Sequence, residues 1–217
     1  MTVAVKICGL REAEHVDAAV DAGAALTGYV FFPKSPRNVS IAETAALTAR
    51  VPVGVRKVAL SVDAEDELLR AIVEGAGVDT LQLHGHETPA RVAHVRDTFG
   101  LTVIKALPIA DQGDVETARR YQDVSDMLLF DAKPPKDATR PGGNAMAFDW
   151  TLLTGTSWTV PWMLAGGLDA SNVAEALRIS GAQMVDVSSA VEDEAGRKDV
   201  AKIRAFIAAA HGASSNE

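Results

Sequence analysis

Cys8 and Asp131 are the residues of this chain best placed for proton chemistry, because each closes a short apolar run. One run is Val3-Ala4-Val5-Lys6-Ile7-Cys8 before Gly9, and the other is Met127-Leu128-Leu129-Phe130-Asp131 before Ala132-Lys133. A thiol at the carboxyl end of a strand can serve as base or nucleophile, although free cysteine also serves as a small buried hydrophobe. A carboxyl group in such a place is a general acid if burial raises its pKa, or a structural ion pair if Lys133 holds it. Lys6 lies two residues before Cys8 and shares its strand face, so its charge is expected to lower the thiol pKa. Arg37 stands in Phe32-Pro33-Lys34-Ser35-Pro36-Arg37-Asn38, a segment stiffened by two prolines, and its planar fork suits a carboxylate. Taken alone, the same arginine reads as a solvated surface side chain.

Gly166-Gly167 and Ser188-Ser189 follow the last two strand-like runs. In barrels those loops hold phosphate through main-chain N–H groups, though such residues also simply turn chains and cap helices. His84-Gly85-His86 has the spacing of a metal pair, but His15, His94 and His211 supply no third ligand. His84 is therefore read as a pocket wall, His86 as solvent-facing, and no metal is expected. No Gly-x-Gly-x-x-Gly follows a strand, so a dinucleotide site is not indicated.

Positioning these groups requires short β-rich runs alternating with amphipathic helices. The runs are Val3 to Cys8, Leu26 to Phe31, Gly54 to Leu60, Thr80 to Leu83, Thr102 to Leu107, Met127 to Asp131, Trp162 to Ala165 and Met184 to Val187. Between the first two, Glu12 to Ala22 puts Ala13, Val16 and Val20 on one helical face and stops at Gly23. A later helix, Ser171 to Ile179, starts on a cap-type serine and ends before Gly181. About eight strand–helix units fit an α/β fold, either a closed (β/α)8 TIM barrel or an open doubly wound sheet. In a closed barrel Cys8, Arg37, His84, Asp131, Gly166-Gly167 and Ser188-Ser189 all emerge at one mouth. Lys133 to Ala147, rich in Pro, Gly and charge, reads as a mobile loop over that mouth, and 212–217 as a disordered tail after a barrel domain of 1–211.

Composition narrows the partners. The chain has 217 residues, 47% hydrophobic, one cysteine and a net charge of −8. That acidity disfavours nucleic acid and anionic membranes, and no apolar stretch approaches a membrane span. With no secretory leader and no possible internal disulfide, a cytoplasmic location is expected.

The chain resembles the phosphoribosylanthranilate isomerase family. The matching segments are Lys6-Ile7-Cys8-Gly9-Leu10, Phe32 to Ser40, Leu81-Gln82-Leu83-His84-Gly85, Leu129-Phe130-Asp131, Pro141-Gly142-Gly143 with Phe148-Asp149-Trp150, Leu164 to Leu168, and Asp186-Val187-Ser188-Ser189. The resemblance implies a single (β/α)8 barrel catalysing an Amadori rearrangement of tryptophan biosynthesis, without metal or organic cofactor. It further implies Asp131 as general acid, Cys8 as general base and Arg37 on the anthranilate carboxylate, with Gly166, Gly167, Ser188 and Ser189 on the phosphate. Asp186 is implied to bind a sugar hydroxyl or to be structural. The partner is the small-molecule substrate, and the chain is a monomer or homodimer. Two departures stand out: Asn144-Ala145 follows Gly142-Gly143 where the family usually reads Thr-Gly, and Ala190 follows the serine pair in place of Gly. A related isomerase of histidine biosynthesis and a binding-only sugar-phosphate barrel are the competing readings. Cys8 with Arg37 speaks against the first, and Cys8 with Asp131 against the second.

Overall fold

A computed structural model describing residues 2–133 and 148–213 shows eight parallel strands closed into a ring. The strands are β1 (Ala4–Cys8), β2 (Leu26–Phe31), β3 (Arg56–Ser61), β4 (Thr80–Leu83), β5 (Thr102–Ile109), β6 (Met127–Ala132), β7 (Trp162–Leu164) and β8 (Met184–Val187). Because β1 pairs with β2 on one side and β8 on the other, no edge remains and the open sheet is excluded. The register sets Lys6 opposite Asp186.

Helices α1 (Ala13–Asp21), α2 (Ile41–Thr48), α3 (Asp66–Gly75), α4 (Pro89–Phe99), α5 (Gln112–Ala118), α6 (Val173–Ser180) and α7 (Val200–Ala213) wrap the ring. Strand alternation divides the apolar residues into two layers. Val5, Ile7, Leu81 and Val185 pack outward with helix residues such as Val16, Leu69, Ile203 and Phe206. Leu26, Val58, Ile104, Ala106, Leu129, Met163 and Ala165 fill the barrel interior. Above them, near the strand ends, Cys8 packs with Val30 and Leu60.

Local chemistry explains the helix ends. Ser40 and Glu43 form a reciprocal capping box that starts α2, and Gly181 ends α6 in the left-handed conformation at φ 73°. Ser171 is not the cap expected for α6. Asp169 Oδ1 accepts from Ser171 N–H at 2.7 Å and Asn172 N–H at 3.1 Å, so a side-chain turn fills that stretch and the helix begins at Val173. At the other end of the chain α7 runs on through Gly212 and Ala213, two residues into the expected tail. The residues described between β6 and β7 hold only a 3₁₀ turn, Trp150–Leu153, where regular alternation would place a helix. Apart from Lys133, the expected loop Lys133 to Ala147 lies outside the described residues, as do Asn144 and Ala145. An antiparallel hairpin, β9 (Glu192–Glu194) with β10 (Arg197–Lys198), was not anticipated from the sequence. Among the described residues no helix is long and apolar enough to cross a membrane.

Candidate active site

Cys8 ends β1 facing the barrel interior and is 4% exposed. Gly28, beside it on β2, leaves room for it: a Cβ there would lie 3.1 Å from the sulfur and 3.2 Å from Lys6 Nζ. Lys6 is fully buried, and its ammonium donates to Asp186 Oδ1 at 2.8 Å. Burial alone would push Lys6 down, but attraction to Asp186 and Cys8 outweighs it and holds its pKa above the ordinary lysine value. For Cys8 the balance goes the other way. Burial pushes the thiol above its ordinary value, and Lys6, though it pulls downward as expected, does not overcome it. The expected net lowering is thus corrected: Lys6 limits the rise. Alkylation of Cys8 should accordingly climb with pH through a midpoint above the ordinary value of about 8.5. Lys6→Met should move the midpoint higher still, and a midpoint left in place would show that the ammonium does not act on the sulfur.

Asp131 lies at the end of β6, 8% exposed. Its Oδ1 accepts from Ala132 N–H at 2.9 Å, and its Oδ2 is 3.3 Å from His84 Nε2. Lys133 does not pair with it but donates to Asp114 at 3.0 Å. His84 is oriented by Gln82, whose Nε2 lies 3.0 Å from His84 Nδ1. With the Gln82 amide turned the other way, Nδ1–H would donate to the amide oxygen and Nε2 would be free to accept a proton from Asp131. Gly166, at φ 83°, passes so close that a Cβ would sit 2.8 Å from Ala132 Cβ and 2.9 Å from Asp131 Oδ1. Gly166→Ala combines that clash with a left-handed backbone, so it should cut kcat about tenfold or more by displacing the carboxyl. Steady-state kinetics would check this, and unchanged kcat would separate the glycine from the acid.

Arg37 is buried rather than solvated, and its fork is already engaged. Nε donates to Glu192 Oε1 at 2.6 Å and Nη2 to Glu192 Oε2 at 2.9 Å, leaving Nη1 with no partner among the described residues. The loop folds back on itself through Ser35 N–H to Phe32 O at 2.8 Å and Val39 N–H to Val30 O at 3.0 Å. Its side chain lies over Gly9, where a Cβ would meet Arg37 Cδ at 2.5 Å. The Ser188 hydroxyl is also occupied, donating to Cys8 O at 3.0 Å and accepting from Lys198 Nζ at 3.2 Å. Ser189 opens a 3₁₀ turn, Ser189–Val191, in which Ala190 needs no positive φ, so its replacement of glycine is accommodated. Gly167 keeps a left-handed φ of 65° and its carbonyl accepts from Asn172 Nδ2.

His86 points away, with a 95% exposed side chain 3.3 Å from Asp63, so the two histidines do not converge on an ion. Three buried charged residues went unread in the sequence. Lys105 donates to Leu83 O, Gly85 O and Glu87 Oε2, pinning the end of β4 that carries His84. Its signal was a lysine inside the apolar run Thr102 to Leu107. Glu192 and Lys198 are the others, buried within a charged segment that reads as surface.

The chain matches the family model described as N-(5'phosphoribosyl)anthranilate (PRA) isomerase over residues 5–209. It is 54% identical over 212 residues to the N-(5'-phosphoribosyl)anthranilate isomerase of Paramagnetospirillum magneticum, across 98% of this chain and 99% of that protein. The Paracoccus denitrificans protein of the same name is 55% identical over 210 residues, across 97% and 98%. Among solved structures, phosphoribosyl anthranilate isomerase from Thermotoga maritima aligns with a TM-score of 0.88 at 33% identity, covering 97% of this chain and 99% of that one. A phosphoribosyl anthranilate isomerase in complex with reduced 1-(o-carboxyphenylamino)-1-deoxyribulose 5-phosphate aligns with a TM-score of 0.83 at 30% identity, with the same coverage.

Proposed function

Given that the chain belongs to the N-(5'-phosphoribosyl)anthranilate isomerase family, we propose that the barrel mouth performs the family's isomerisation with Cys8 as base and Asp131 as acid. The reaction converts the aminoribose phosphate to the 1-amino-1-deoxyribulose phosphate, a step of tryptophan biosynthesis. One observation carries the assignment of roles. Two strand-end groups share the mouth, each braced differently: a thiol next to the Lys6–Asp186 pair, and a carboxyl held between a backbone N–H and His84.

Asp131 gives a proton to the ring oxygen as the nitrogen lone pair opens the ring to an iminium. Cys8, as thiolate, then takes the C2' proton, and the resulting enolamine tautomerises to the ketone. The substrate gains and loses equal protons, so its composition is unchanged. His84 Nε2, 3.3 Å from Asp131 Oδ2, is placed to pass a proton to or from that carboxyl, with Gln82 fixing the ring. Because the Cys8 thiol lies above its ordinary pKa, kcat/KM should rise with pH as the thiolate forms.

The substrate carboxylate is assigned to the remaining Nη1 edge of Arg37. Main-chain N–H groups of Gly166, Gly167, Ser188 and Ser189 are assigned to the phosphate, a set of dipoles that an acidic protein can offer without free cations. Asp186, tied to Lys6, holds the base environment and can still accept from a sugar hydroxyl through Oδ2. The test follows loss of anthranilate fluorescence as purified protein consumes freshly generated phosphoribosylanthranilate. Turnover is expected, whereas folded protein that binds product without turning over substrate would overturn the catalytic reading.

A further inference from the structure

The hairpin β9–β10 encloses a cluster that the proton transfers do not use. Glu192 sits at its head with four donors on one carboxylate. Oε1 accepts from Arg37 Nε at 2.6 Å and Lys198 Nζ at 2.8 Å, and Oε2 accepts from Arg37 Nη2 at 2.9 Å and Gly196 N–H at 3.0 Å. All three side chains are nearly excluded from solvent, at 6%, 6% and 1% for Arg37, Glu192 and Lys198. The turn glycine, Gly196 at φ 89°, presses on the arginine loop so closely that a Cβ would lie 2.6 Å from Pro36 O. The same Lys198 ammonium donates to Ser188 O at 2.9 Å, and the Ser188 hydroxyl donates to the carbonyl of Cys8.

Two features of this cluster point to a missing anion. Two buried cations share one carboxylate, and among the described residues no other carboxylate bonds to either, so the cluster carries an excess positive charge. The grip is also one-sided. Glu192 takes the Nε–Nη2 edge of the guanidinium and leaves Nη1 without a partner, although a planar fork can hold a second carboxylate on its other edge. Burial would raise the Glu192 carboxyl, but Arg37 and Lys198 bring it down to about 2, so it stays ionised as the clamp requires.

We propose that Glu192 and Lys198 are positioning residues that set specificity for a carboxylated amine substituent. Glu192 aims the free edge of Arg37, and Lys198 supplies the excess charge that the substrate carboxylate neutralises. This rests on the reading of Arg37 as the carboxylate anchor. It adds that discrimination is built by a hairpin far along the chain from that arginine.

The experiment compares kcat/KM for N-(5-phosphoribosyl)anthranilate and for N-(5-phosphoribosyl)aniline, which lacks the carboxylate, in wild type, Arg37→Met, Glu192→Gln and Lys198→Met. Arg37→Met should abolish the preference for the carboxylated substrate. Glu192→Gln puts an amide N–H where an acceptor is needed and should shrink the preference about 10- to 100-fold, through KM more than kcat. Activity on the aniline should fall by a smaller factor than activity on the carboxylated substrate. Lys198→Met leaves the fork intact, removes the extra charge, and should shrink the preference as well, so the test stands even if Glu192→Gln does not fold. If Arg37→Met leaves the preference intact, the anchor reading itself fails. If Arg37→Met abolishes it while folded Glu192→Gln or Lys198→Met keeps or enlarges it, the positioning proposal is overturned. Parallel loss on both substrates would likewise overturn it, as that is what a purely structural role produces.

Discussion

Asp131→Asn is expected to lower kcat by about 10²- to 10⁴-fold with the barrel intact. The amide is nearly isosteric, and its oxygen can still accept from Ala132 N–H as Oδ1 does at 2.9 Å. Its NH2 can face His84, so little stability is lost and the deficit is chemical. An amide has no proton to release at the ring oxygen, which leaves ring opening to water. Steady-state turnover alongside a thermal melt checks both halves of this expectation. A folded variant that keeps more than about a tenth of wild-type kcat would remove Asp131 from the acid role.

Cys8→Ser should cost about as much, again about 10²- to 10⁴-fold in kcat, for a different reason. The hydroxyl occupies the same space beside Val30 and Leu60, and the Lys6–Asp186 pair at 2.8 Å remains in place. An alcohol is far less acidic than a thiol, so no fraction of it is ionised at working pH to accept the C2' proton. Cys8→Ala should lose a similar factor. If Ser retained activity while Ala did not, hydrogen bonding rather than proton abstraction would be the contribution of this position. The two predictions differ in their pH signature. The alkaline rise of kcat/KM belongs to Cys8 and should persist in Asp131→Asn, whereas it should vanish in Cys8→Ser.

The barrel was legible because its strands are largely buried on both faces, so most read as short apolar-rich runs broken by at most one or two polar residues. Leu26–Phe31, Thr80–Leu83 and Met184–Val187 fall where their residue types place them, while the other strands differ by a residue or two at an end, β5 and β6 running longer and β1 and β7 shorter. Closure then brings Cys8, His84, Asp131 and Gly166 to one end without further information from the chain. The sign of the Cys8 shift was not legible. Spacing shows that Lys6 faces the thiol, but only the packed structure reveals that burial outweighs it and that Asp186 shares the ammonium. The β9–β10 hairpin escaped for a related reason. Glu192-Asp193-Glu194 reads as a solvated acidic run, and its first member is buried only because Arg37, 155 positions away, folds against it. Likewise, Lys133, two residues past Asp131, invites a pairing, but its ammonium goes to Asp114, and His84 from the end of another strand lies against Asp131 instead.

The central claim, that Asp131 opens the ring before Cys8 takes the C2' proton, is tested most directly by the primary deuterium isotope effect on kcat with substrate deuterated at C2'. Cys8→Ser, in which proton abstraction is crippled, should express the full effect, while Asp131→Asn, stalled at ring opening, should show almost none. A full effect in Asp131→Asn with none in Cys8→Ser would contradict the assignment of acid and base.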